Sequence, residues 1–396
     1  MHTKPSSIVS ERQVQEMAEE WLSKAITLEG SRRKCTTSVL WKILLFAAAR
    51  MWSLCAACSA IAGAPCDEAV RRALRRSLPK RPVTLEEWMQ PALAGQRLPR
   101  GLFRRKRRMA VDWHLIPYHG RPRFRDNELY HSKPKSGTSK FHAYATLCVV
   151  EQGHRYTLAV TYIRDGESSV TVLKRLFRRL QELGLGVKVV LLDRQFFTAE
   201  VLTYLQSVQM PFVVPLMLRG RKARRGGKAK DKDAPGKLRD FLNKSAGRYA
   251  FTWQRKGKPA FDVVVAYKSY RHHKTNTRRN KKFLYAVWRV SGDTVHIREL
   301  YRRRFGIETS YRQLGHARIR TCTTDPILRL FFVIIALVLR NIWVWLHFMH
   351  LSERRGAQVK LNLKRLRFKL MLDRIARYVM ALLHDNSIRS TQLQTE

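Results

Sequence analysis

Residues 187–192, Val-Lys-Val-Val-Leu-Leu, do most to narrow the folds open to this chain. A run so nearly apolar, closed by Asp193, reads as a central strand buried on both faces, and such strands belong to sheets covered by helices. Its neighbours agree. Residues 109–116 read as a strand, and 143–150 and 156–163 are β-rich runs separated by the hairpin signal Glu151-Gln-Gly153-His154. Residues 168–183 are helical, with Val172, Leu176, Phe177 and Leu180 on one face. Helix returns at 198–206 and a short strand at 211–214. The order β-β-β-α-β-α-β predicts an α/β core, a mixed sheet with helices packed on it.

The flanks differ from this core. Residues 8–26 and 36–50 read as helices. Two shorter helices, 53–61 and 67–76, are joined by Ala62-Gly63-Ala64-Pro65. The pair reads as a helix-turn-helix or, equally well, as an ordinary helical hairpin. Pro79, Pro82, Pro91 and Pro99 mark a linker near 79–108. Residues 219–237 form a Gly- and Lys/Arg-rich loop. Beyond it lie β-runs at 248–254, 261–267 and 283–290, interrupted by a second basic loop at 271–282. From Val295 the pattern is helical, with breaks, to a last amphipathic helix carrying Leu372, Ile375, Val379 and Leu382.

Charge narrows the partner. The chain has 77 Lys+Arg against 30 Asp+Glu, a formal +47 spread from end to end. A polyanion that screens this self-repulsion is expected; nucleic acid comes first and an anionic membrane surface second. The apolar run 330–339 lies between Arg329 and Arg340 and is too short to span a bilayer, so it reads as a core helix. Cys55 and Cys58 have C-x2-C spacing without a second pair, so buried thiols in a reducing cytoplasm are favoured over zinc. Glu11, Glu16, Glu19 and Glu20 exclude a secretory signal.

Chemistry is expected at three carboxylates. Asp112 interrupts a hydrophobic strand and Asp193 ends another, at the edge where α/β sheets bind ligands. Glu308 stands among cations. The steps from Tyr301 to Arg304, Glu308 and Arg312 are three, four and four residues, which on a continuous helix put all four side chains on one face. A lone glutamate there is most simply a salt-bridge acceptor. With two aspartates it becomes a third hard-oxygen ligand for Mg²⁺ or Mn²⁺, and two such ions about 4 Å apart can activate water against a phosphodiester.

The Tyr301, Arg304, Glu308 spacing after two strand-associated aspartates resembles the Y-R-E-K signature of DDE insertion-sequence transposases. The likeness continues through Ala317-Arg-Ile-Arg-Thr321, Asp325-Pro-Ile-Leu-Arg and Leu339-Arg-Asn-Ile-Trp, and includes the strands around Asp112 and Asp193. It implies an RNase H-like mixed sheet with flanking helices and a β-rich insertion before the glutamate. The corresponding organisation is a helical DNA-binding region at 1–100, core at 101–218, basic β insertion at 219–293, core helices at 294–350 and a basic helical region at 351–396. It further implies catalytic, metal-binding Asp112, Asp193 and Glu308, the ligands of two Mg²⁺ or Mn²⁺ ions in the family's manner, with DNA contacts from Tyr301, Arg304, Arg312 and Arg318. The expected activity is hydrolysis at transposon ends followed by strand transfer into target DNA, by a homodimer on paired ends, in a prokaryotic, nucleoid-associated cytoplasmic protein. A transposase-derived DNA-binding protein without catalysis is the alternative. One departure stands out: Gly315 occupies the place where the family often has lysine.

Other residues read more simply. His114 and His119 are near Asp112, but metal-bound water needs no histidine base. Asp126, Glu128 and Asp165 lie in charge-mixed segments typical of paired or solvated acids. Trp253 and Trp288 favour core packing over base stacking. Lys133, Lys135 and Lys140 suit either a solvated loop or DNA backbone.

Overall fold

The protein is described here from a computed structural model that covers residues 10–31, 34–95, 105–123, 126–151, 154–218, 236–254, 257–271, 276–351, 354–355, 358–359 and 361–392. In chain order the helices are α1 (Glu11–Ser23), α2 (Thr37–Arg50), α3 (Leu54–Ala60), α4 (Asp67–Ser77), α5 (Pro82–Gln90), α6 (Ser169–Glu182), α7 (Ala199–Ser207), α8 (Gly236–Asp240), α9 (Thr294–Arg302), α10 (Gly306–Gly315), α11 (Pro326–Leu346) and α12 (Phe368–Gln392). The main strands are β1 (Arg107–Pro117), β2 (Tyr130–Lys135), β3 (Thr138–Glu151), β4 (His154–Ile163), β5 (Val187–Leu192), β6 (Phe212–Pro215), β7 (Gly247–Thr252), β8 (Ala260–Arg271) and β9 (Arg278–Trp288). Two compact units share strand β1. The first comprises Met1–Arg105, Trp113–Leu185 and Ile307–Glu396; the second comprises Lys106–Asp112 and Gly186–Gly306.

The first unit is organised by α11. Asp325 caps it by accepting from the Ile327 and Leu328 amides, Pro326 presets its first turn, and all its residues are buried. By length and composition α11 alone among the described helices would pass as a single unbent membrane span, yet it is covered inside the protein, as expected of the 330–339 run. Burying polar side chains on it requires partners. Asn341 donates to the Leu93 and Thr157 carbonyls (3.0 and 2.7 Å) and accepts from the Thr157 amide (3.0 Å), which pins the helix to β4. Arg340 donates to the Arg155 carbonyl and Gln313, and burial pulls its guanidinium down to about 10. Strands β3 and β4 pair antiparallel from Ala143↔Ile163 to Glu151↔His154, β2 pairs with the start of β3, and β1 neighbours β3.

In the second unit β1 and β5 are parallel, β6 is parallel to β5, and β9, β8 and β7 follow antiparallel. The sequence β4-β3-β1-β5-β6, with antiparallel strands first and parallel strands after, is the RNase H-like mixed sheet that was expected.

Several sequence expectations change. The supposed linker near 79–108 contains α5, because Pro82 sits at a first helical position, where its missing amide hydrogen costs nothing. The second basic loop shrinks: β8 and β9 pair out to Arg271↔Arg278, and only residues 272–275 of it lie outside the described structure. Lys282 lies over the ring of its cross-strand partner Tyr267 (4.8 Å), so cation–π contacts support a ribbon with little apolar alternation. The loop at 219–235 lies outside the described residues. The two short helices, α3 and α4, are both present; α2 and α3 meet at 107°.

Glu86 of α5 is buried against β4, where it accepts from the Tyr162 amide (2.8 Å) and the Thr161 hydroxyl (2.9 Å). Burial raises its carboxyl from 4.5 to about 7, with these hydrogen bonds and Arg175 and Arg179 opposing the rise. The folded chain therefore holds a proton that the unfolded chain has released. The associated stability is fully present below about 4.5 and is lost as pH rises to about 7, at up to about 1.4 kcal/mol per pH unit. Glu86→Gln, which stays neutral, is expected to gain stability over the native chain between about pH 5 and about pH 8 in urea titrations. A difference that does not change with pH would show that Glu86 is ionised throughout.

Candidate active site

Asp112 and Asp193 are brought together by strand register. In the parallel β1–β5 pair Val111 is opposite Leu192, so the next residue on each strand is one of the aspartates. Both follow the last paired residues of the parallel β1–β5 ladder, Asp193 just past the end of β5 and Asp112 midway along the longer β1, at the edge where β5 stops and such sheets place ligands. Asp193 also begins a short 3₁₀ turn, Arg194–Phe196, and so leaves the strand where its carboxylate is partly open to solvent.

Arg304 joins them. Its Nη2 lies 2.8 Å from Asp112 Oδ1 and 3.3 Å from Asp193 Oδ1. The Arg304 side chain is 5% exposed, against 11% for Asp112 and 38% for Asp193. Within this trio two negative charges meet one positive charge, largely out of water. An arrangement of this kind depends on mutual compensation, because removing one partner from a buried pair costs about 3–5 kcal/mol.

The chain geometry that delivers Arg304 differs from the helix expected at 301–312. Helix α9, capped by Asp293 accepting from the His296 amide (2.7 Å), ends at Arg302. Arg303–Phe305 is a 3₁₀ turn, and α10 begins at Gly306. The four-residue steps therefore do not run along one continuous helix face. The turn directs Arg304 inward. Tyr301 is buried, donates to the Leu192 carbonyl (3.2 Å) and packs on Tyr285, with its ring 5.9 Å from the Arg304 guanidinium. Burial pushes its phenol well above the ordinary value, so it remains a donor. Tyr301 thus fixes the backbone next to Asp193, a contact the sequence reading did not anticipate. Glu299 pairs with Arg298 (2.5 Å) and Arg302 (2.8 Å), which lower its carboxyl.

Asp112, Asp193, Tyr301 and Arg304 thus belong to one unit. Glu308, Arg312 and Arg318 belong to the other. Glu308 is in α10, and its side chain lies outside the described residues. Arg312 is exposed on α10, and Arg318 is half-buried just beyond it. Gly315 ends α10 in the open: a Cβ there would meet nothing within 4 Å, so space does not require glycine.

The secondary candidates resolve into packing. His114 stacks on Tyr311 (4.6 Å), and burial, aided by Arg318 and Lys135, lowers it to about 3, which keeps it neutral. His119 is exposed. Asp165 accepts from the His131 amide and faces its ring, and Glu128 accepts from the Arg123 amide. Asp126 has its side chain outside the described residues. Trp253 stacks on Phe197 (4.9 Å) and Trp288 on Phe212 (6.1 Å), as core packing predicts. Lys133 and Lys135 belong to β2, a strand the sequence reading missed. Cys58 is pushed up to about 12 by burial, which disfavours the thiolate a zinc site needs.

Among the described residues no group of three or more His, Cys, Asp or Glu could hold a metal. The Asp112–Asp193 pair still fits a hard divalent cation: its donors are carboxylate oxygens, and they already converge on one positive charge.

Comparison with known proteins follows the same lines. No curated protein matches the chain. In fold it is similar to a chain of the cryo-EM structure of the piggyBac transposase synaptic complex with hairpin DNA, with 11% identity and a TM-score of 0.58 over 98% of this chain and 84% of that one. A crystal structure of Ciona intestinalis endonuclease V with inosine-containing DNA matches at 14% identity over 56% of this chain and 81% of that one, but its TM-score of 0.23 carries no argument. A family model described as the transposase DDE domain matches residues 104–341, more than half of the chain, and includes both aspartates and Glu308. The chain therefore belongs to the transposases with a DDE domain.

Proposed function

We propose that Asp112, Asp193 and Glu308 are the three carboxylates with which this DNA transposase cuts transposon ends and joins them to target DNA. The observation that carries the assignment is the Val111↔Leu192 register, which puts the two aspartates side by side at the carboxyl edge, where both face Arg304. The family normally works with divalent metal ions. Two Mg²⁺ or Mn²⁺ ions held by Asp112, Asp193 and Glu308 would supply an activated water and stabilise the leaving oxygen of the phosphodiester.

The protein's own groups have separate tasks. Arg304 balances the aspartates before substrate arrives and, with Arg312, favours the approach of phosphate. Tyr301 holds the Leu192 carbonyl, and through it the start of the Asp193 turn. The excess of 77 basic over 30 acidic residues supplies sequence-independent DNA affinity, and the helices before β1 contribute to recognising the ends. The proposed assembly is a homodimer on paired ends, working on the nucleoid of a prokaryotic cytoplasm. The piggyBac chain of similar fold was captured in a synaptic complex, which supports the pairing of ends.

Asp112→Ala, Asp193→Ala and Glu308→Ala are each expected to abolish Mg²⁺-dependent nicking of element-end duplexes while duplex binding in a gel-shift assay is retained. Undiminished nicking by any one of them would remove that residue from the site. Arg304→Gln makes a separate test of the charge balance. In EDTA it is expected to lose about 3–5 kcal/mol of stability, because two carboxylates are left facing each other. Added Mn²⁺ should then restore part of that loss and bind this variant more tightly than the native chain by electron paramagnetic resonance titration. Weaker Mn²⁺ binding by Arg304→Gln would contradict the role given to Arg304.

A further inference from the structure

The first unit contains a second cationic feature. A cavity of about 220 Å³ is lined by Tyr144 of β3, Arg318, Arg320 and Thr321 of the segment after α10, Arg329 of α11, and apolar neighbours. At roughly 30 Å³ per water it has room for several waters or one tetrahedral oxyanion. None of the lining residues is acidic.

Two observations independently point to a missing ligand. The Tyr144 side chain is wholly buried, lines this cavity, and its hydroxyl has no hydrogen-bond partner. A buried donor is normally satisfied, so the lone hydroxyl marks a place for an acceptor. Arg318 and Arg329 both act electrostatically on that phenol, burial lowers both guanidinium groups, and Arg329 lowers Arg318 further. Arg329 is oriented by donating to the Thr323 carbonyl (2.6 Å) and the Thr321 carbonyl (3.3 Å), and it lies over the Tyr118 ring (4.5 Å). Arg318 makes no hydrogen bond or ion pair among the described residues. Exposed Arg320 completes the lining.

We propose that this cavity is a phosphate-binding pocket, in which the Tyr144 hydroxyl and the Arg318 and Arg329 guanidinium groups donate to the oxygens of one phosphate. The oxygens of a phosphate offer acceptors and negative charge, which is what half-buried Arg318 and the unsatisfied Tyr144 hydroxyl lack. Its source is either the DNA backbone or a free phosphate group. The DNA case rests on the proposed function; binding of inorganic phosphate does not.

The test uses the full chain and the variants Tyr144→Phe and Arg318→Gln. Tyr144→Phe removes a hydroxyl without a partner, so it should melt in chloride at or above the native temperature. Inorganic phosphate is expected to raise the native melting temperature above that in chloride at equal ionic strength, and both variants should lose most of this rise. Salt titration of duplex binding identifies the source. If the pocket takes a backbone phosphate, Arg318→Gln flattens the log K against log salt slope by about 0.9. If it takes a free phosphate group, the slope is unchanged while the phosphate-induced rise is still lost. A native melting temperature indifferent to phosphate, or a rise that survives both substitutions, overturns the pocket whatever happens to nicking.

Discussion

Two carboxylates facing one guanidinium, just past the end of the parallel β1–β5 pairing, are the constraint around which the second unit is arranged. Like charges at the same edge repel, and the β1–β5 register makes their proximity unavoidable. Arg304 resolves the conflict only because the chain breaks from α9 into a 3₁₀ turn before α10 starts. Tyr301 secures that turn to the Leu192 carbonyl, so the same few residues set the position of the acid and of its counter-ion. Within the trio two carboxylates converge on one guanidinium, the same oxygens a divalent cation would meet.

The first unit meets a different difficulty, the burial of polar groups on an apolar helix. Asn341 satisfies both backbone groups of Thr157, and Arg340 spends its charge on a carbonyl and an amide oxygen. These contacts tie α11 to β4 at a defined height. At Tyr144 a buried hydroxyl without a partner lines a cavity that Arg318 also lines. In a chain so rich in arginine, a buried hydroxyl without a partner beside two guanidinium groups is more informative than the positive charge itself.

Much of this was legible in the sequence, and for physical reasons. The run at 187–192 read as a covered strand, and periodicity located β1, β3, β4, α6, α7 and β6 closely, so a mixed sheet with helices packed on it followed, while its RNase H-like character was implied by the family resemblance. What escaped notice has a cause in each case. Strand β2, Tyr-His-Ser-Lys-Pro-Lys, is largely exposed and contains a proline, so it carries no apolar alternation. Helix α5 was obscured by prolines that are harmless at its start. At the site, Asp112, Asp193 and Arg304 could be picked out by type and spacing, but the spacing argument assumed one continuous helix. The contact of Arg304 with both aspartates depends instead on the turn at Arg303–Phe305, which no periodicity encodes. The Tyr301 bond to Leu192 joins residues more than a hundred positions apart and has no local signal at all.

The central claim is that Asp112, Asp193 and Glu308 hold the same metal ions. Iron-directed cleavage tests it most directly: Fe²⁺ is loaded into the full chain, and ascorbate with peroxide generates hydroxyl radicals that cut the backbone beside the bound ion. The account predicts fragments ending near residues 112, 193 and 308, all suppressed by excess Mg²⁺. Cuts near 112 and 193 without any near 308, or cuts that Mg²⁺ does not suppress, would contradict it.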